Sequence, residues 1–70
     1  MKFIPGSKFI NNTPKNGKYF KRGIIYKLRC IQPMENKIKY VFENNINNQT
    51  EIIFESVKQA DNFLDIYCIY

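Results

Sequence analysis

Residues 23–43, GIIYKLRCIQPMENKIKYVFE, decide the fold of this 70-residue chain. Tyr26, Leu28 and Cys30 share one parity and Lys27 and Arg29 the other, the period of a strand with one face on a core and one in water. Gln32-Pro33-Met34-Glu35-Asn36 interrupts the run as a turn, since Pro33 has no N–H to give to a ladder. A second alternating run follows, with Ile38, Tyr40 and Phe42 directed inward and Lys37, Lys39 and Glu43 outward. Two antiparallel strands joined by a turn are therefore expected.

Beyond the polar stretch Asn44–Gln49, TEIIFES alternates again, with Ile52 and Phe54 on one face and Glu51, Ile53 and Glu55 on the other. A third strand would bring Glu51 and Glu55 towards Lys37 and Lys39, contacts worth a few tenths of a kcal/mol (~0.2–1). Ser56 then offers an N-cap, with Gln59 at capping-box spacing. Val57, Ala60, Phe63, Leu64 and Tyr67 recur at helical spacing, which predicts an amphipathic helix over 56–67. Residues 68–70 are open to being a frayed end or a short last strand.

The first 22 residues read as a loop-rich basic segment. Pro5-Gly6, Asn11-Asn12-Thr13-Pro14 and Asn16-Gly17 are turn chemistry, around a short strand at 8–10. Asn16-Gly17 is the best hairpin-turn dipeptide, because both residues tolerate positive φ. The whole reads as one small domain, mainly β with a C-terminal helix (α+β). Two architectures fit: a small SH3-like barrel, or a three- to five-stranded antiparallel sheet packed by one helix. Residues 23–55 supply its antiparallel strands. The apolar fraction of 44%, with 16% aromatic, is that of a folded chain.

Phe20-x-x-Gly23-x-x-Tyr26, followed by the alternating strand, the turn, a Tyr-x-Phe strand and another short strand, resembles the small SH3-like β-barrels of phage accessory proteins. The resemblance spans residues 18–55. It implies that Gly23 permits a sharp approach to the strand and that Phe20 and Tyr26 pack into the barrel. It also suggests service in host takeover or counter-defence.

Charge is unevenly spread. Residues 1–39 hold ten Lys and Arg and the single Glu35, a net +9, whereas residues 40–70 hold Lys58 and five carboxylates, a net −4. Provided folding does not interleave the halves, one basic and one acidic region are expected. The basic half mixes cations with aromatics: Lys15, Lys18, Lys21, Arg22, Lys27 and Arg29 are the candidates for a phosphate backbone, and Tyr19, in a glycine-flanked loop, for stacking on a base. The plainer reading of the same cations is a solubility face.

Enzymatic readings do poorly. There is no histidine, the commonest general base and metal ligand, and neither Cys30 nor Cys68 has an activating neighbour in sequence. Glu51 and Glu55 would stand roughly 13 Å apart along a strand, too far for a retaining carboxylate pair. Asp61 and Asp65 mark the wet face of the helix, and the isolated glycines make no phosphate loop. Both cysteines are expected reduced and buried as small hydrophobes.

Without a signal peptide or membrane-length apolar run, a cytoplasmic protein is expected, with no cofactor and no membrane partner. The reading is a non-enzymatic module that binds RNA or single-stranded nucleic acid, as a monomer or homodimer. The alternative is a stoichiometric inhibitor or adaptor that binds a host protein.

Overall fold

The computed structural model describes residues 1–46 and 48–69. Five strands and one helix follow one another: β1 (Lys8–Ile10), β2 (Ile25–Pro33), β3 (Ile38–Asn44), β4 (Gln49–Phe54), α1 (Val57–Asp65) and β5 (Cys68–Ile69). They form one antiparallel sheet in the order β4-β3-β2-β1-β5. The expected mainly β fold with a C-terminal helix is therefore present, with five strands. Cys68–Ile69 takes the strand alternative, pairing with β1, while Tyr70 lies outside the described residues. No described helix is long and apolar enough to cross a membrane.

The turn chemistry at Pro5-Gly6 acts as written in the sequence. Ser7 N–H donates to Ile4 C=O at 3.0 Å, and Gly6 sits at φ +100°, the geometry that a type II turn asks of its third residue. The chain then pairs with β2 through Gly6 N–H to Leu28 C=O and Leu28 N–H to Ser7 C=O, both 2.8 Å. Phe3 is thereby buried, and Lys2 is strapped to α1, its backbone N–H donating to Asp61 and its ammonium to Asp65. At the start of α1, Ser56 Oγ accepts from Gln59 N–H at 3.1 Å. Gln59 Oε1 reaches back to Glu55 N–H at 2.7 Å, one residue beyond its capping-box target.

The core fills the side of the sheet that α1 covers. Phe9, Phe20 and Phe42 meet there, Phe42 standing edge-on to Phe9 at 5.5 Å and to Phe20 at 5.1 Å between ring centres. Leu28, Tyr40, Ile52 and Phe54 from the strands and Ala60 and Leu64 from α1 complete it. Aromatic rings suit so short a chain, because each removes a large apolar area from water.

One strand departs from its expected parity. A β-bulge at Arg29 places Leu28 opposite Phe42 but Cys30 opposite Val41, so from Cys30 onward β2 exchanges faces. Ile31, opposite Tyr40, takes the inward place expected of Cys30. Cys30 is only half-buried, on the outer face with Val41, which is itself buried yet outside the core cluster. Cys68 is half-buried too, packed against the core's edge. Neither thiol is the fully buried hydrophobe expected.

Tyr40 is fully buried, and its hydroxyl has no hydrogen-bond partner among the described residues. Burial, with a smaller push from the Asp61 carboxylate, raises its phenol above the ordinary 10.0. The folded state thus holds this proton more tightly than the unfolded chain does, so its stabilising contribution is full below about pH 10 and is lost as pH rises beyond it. Tyr40→Phe should leave stability at pH 7 unchanged or raise it by up to about 1 kcal/mol, because an unmade buried hydrogen bond is removed. It should also lessen the alkaline loss; urea midpoints at pH 7 and above pH 10 check both.

Candidate nucleic-acid interface

The basic loop between β1 and β2 is built around one buried amide. Asn11, 1% exposed, donates through Nδ2 to Phe20 C=O at 2.9 Å and to Lys15 C=O at 3.1 Å. Its Oδ1 accepts from Thr13 N–H at 2.9 Å, and the Thr13 hydroxyl, 2.6 Å from Oδ1 and 2.9 Å from Lys15 C=O, donates to one of the two. Asn11 C=O accepts from Gly23 N–H at 3.1 Å, where φ of +80° suits glycine.

Further bonds tie the loop to itself and to β2. Asn16 Oδ1 accepts from Arg22 N–H at 2.8 Å, and Tyr26 Oη accepts from Lys21 N–H at 3.1 Å. Gly17 does not serve as the positive-φ turn residue expected of Asn-Gly; positive φ falls at Gly6 and Gly23. Gly17 N–H instead donates to Phe20 C=O at 3.0 Å, and a Cβ on Gly17 would lie only 3.2 Å from that oxygen. Close approach is the reason for glycine here.

These bonds engage the loop's backbone and leave its cationic side chains outside. Lys15, Lys18, Lys21 and Arg22 are all exposed. Among the described residues none of the four has a carboxylate within 4 Å. Lys27 and Arg29 differ: both flank Glu43, at 3.9 and 3.8 Å. Lys37 meets Glu55 and Lys39 meets Glu51, each at 3.6 Å, the cross-strand pairs the alternation predicted. Folding thus interleaves the acidic half with the strands of the basic half. Lys27, Arg29, Lys37 and Lys39 are locally neutralised; of the six described cations without a carboxylate within 4 Å, four lie on the loop and the others are Lys8 on β1 and Lys58 on α1.

Tyr19 is less free than a loop aromatic would be. It is half-buried, edge-on to Phe63 at 6.4 Å, with the Lys18 ammonium 5.3 Å from its ring centre. Tyr26, 2% exposed, is core, as strand parity required.

Between this loop and the β3–β4 turn lies a groove of about 450 Å³. The loop contributes Lys18, Tyr19 and Lys21, and the turn contributes Asn44, Asn48 and Gln49. No carboxylate is among its described lining residues. Such a surface can donate hydrogen bonds and hold negative charge. The amide side was missed in sequence, where Asn44–Gln49 read only as a polar connection. The density of carboxamides was visible there; their position beside Lys18 and Lys21 follows from the pairing of Tyr26 with Asn44.

Fold and surface together define a small antiparallel β domain with one helix and a basic, amide-lined groove. No family model, curated protein or solved structure matches the chain.

Because Asn11 serves two buried or partly buried carbonyls, Asn11→Ala should cost about 2–3 kcal/mol and loosen the loop. Asn11→Asp should cost more, since a carboxylate cannot donate to either carbonyl. The check is the urea midpoint, with hydrogen exchange showing protection lost first at Gly17 and Gly23.

Proposed function

We propose that this chain is a non-enzymatic binding module that holds RNA or single-stranded DNA along its basic loop, and that it serves as a phage-type accessory protein in the host cytoplasm. The observation that carries this reading is the clustering of unmatched charge: among the described residues Lys15, Lys18, Lys21 and Arg22 stand together without a carboxylate within 4 Å, whereas Lys27, Arg29, Lys37 and Lys39 are matched and the unmatched Lys8 and Lys58 lie apart on β1 and α1. A solubility face would not need its cations gathered on one loop with a half-buried tyrosine among them. Lys27 and Arg29, shared with Glu43, would act as the flank of the interface, giving up that carboxylate when a phosphate competes for them. The five-strand order, with β1 between β2 and β5, supports the resemblance to small SH3-like barrels.

Binding of this kind releases counterions, so affinity should fall steeply with salt, each neutralised phosphate of a single strand adding about −0.7 to the logarithmic slope. Labelled RNA and single-stranded DNA, titrated at two salt concentrations, should bind the parent chain. The double variant Lys21→Glu, Arg22→Glu should bind at least about tenfold more weakly, with a shallower slope. The same charge change at Lys8 and Lys58, outside the loop, should weaken binding less. Absence of binding at low salt would refute the reading. A host-protein complex that survives nuclease would point instead to the inhibitor or adaptor class.

A further inference from the structure

We infer that the groove between the loop and the β3–β4 turn is a subsite for one unpaired base with a keto oxygen at its 4- or 6-position: uracil, thymine or guanine. The inference rests on the nucleic-acid reading above and names what that surface would select. Its basis is the direction of the groove's hydrogen-bonding groups.

Backbone N–H groups can only donate, so they establish which end of each amide faces them. Asn44 Oδ1 accepts from Ile46 N–H at 3.0 Å and from Asn48 N–H at 3.1 Å. Asn16 Oδ1 is occupied by Arg22 N–H at 2.8 Å. In both residues the oxygen is used and the NH₂ group remains to donate. The Tyr26 hydroxyl oxygen accepts from Lys21 N–H, which leaves its O–H to donate. With the ammonium groups of Lys18 and Lys21, the groove is rich in donors, and its described lining contains no carboxylate. Asn48 and Gln49 make no side-chain hydrogen bond among the described residues, and each can donate or accept.

A ligand that matches such a surface brings negative charge and carbonyl oxygens together. A nucleotide with a keto base does so: its phosphate suits Lys18 and Lys21, and uracil O4 or guanine O6 and N7 suit the amide donors. Adenine and cytosine carry an exocyclic amine at the position where guanine and uracil carry that keto oxygen, so an NH₂ group directed at this position would meet a second donor. The volume, about 450 Å³, lies within the range of small-molecule sites, roughly 300–1,000 Å³.

The experiment is fluorescence anisotropy with labelled twelve-nucleotide RNAs of uridine, adenosine or cytidine alone, each at the same two salt concentrations. The parent should prefer the uridine strand by at least about fivefold. Asn16→Ala with Asn44→Ala, which removes the two amides whose oxygens are fixed by backbone N–H groups, should erase that preference without changing the salt slope, because neither residue carries charge; a urea midpoint beside it shows whether the variant is folded. Lys21→Glu should weaken all three strands together. Equal binding of the three strands by the parent, or a preference that survives the amide variant, overturns the subsite while leaving the loop reading standing. Failure of every strand to bind at low salt removes both.

Discussion

Burying the Phe20 ring draws its carbonyl inside with it, and a buried carbonyl needs a donor. The ring belongs with Phe9, Tyr26, Phe42 and Tyr67 and pins an otherwise irregular segment to the sheet. The carbonyl is satisfied twice, by Asn11 Nδ2 and by Gly17 N–H. The same amide reaches Lys15 C=O, and so the loop's course between β1 and β2 follows from one aromatic anchor and one carboxamide. Without that pair, Lys18, Tyr19 and Lys21 would have no defined place beside the β3–β4 turn, and there would be no groove.

The ion pairs of the sheet matter for where charge remains more than for stability. All of them are partly or largely exposed, at 3.6–3.9 Å, and such pairs contribute about 0–1 kcal/mol. Their consequence is spatial. Glu43, Glu51 and Glu55 neutralise cations along β2 and β3, and the net charge of +5 is left weighted towards the loop. Beside the loop, the Asn16 and Asn44 oxygens are occupied by backbone N–H groups, which leaves their NH₂ groups to donate.

Much of this architecture is legible in the chain because it depends on neighbours in sequence. Alternation over 38–43 and 50–54 shows which side chains face inward, since successive residues of a strand point to opposite faces. Ser56 and the helical spacing after it place α1 for the same local reason. The bulge at Arg29 was not legible: nothing in Leu28-Arg29-Cys30 marks it, and it becomes visible only where β2 must keep pace with β3. Asn16-Gly17 misleads in the other direction. The dipeptide is suited to a hairpin, but the packing of Phe20 imposes a different course on the loop.

By itself, the sequence determined the mainly β class, the inward faces of β3 and β4, the terminal helix and the choice of the loop as the basic segment. Each rests on periodicity or on the chemistry of adjacent residues. Tertiary structure alone decided that Glu43 stands between Lys27 and Arg29, that Tyr19 leans on Phe63, and that Asn44, Asn48 and Gln49 stand beside Lys18 and Lys21. Those outcomes depend on strand register and on which groups the core excludes, and both join residues that are distant along the chain.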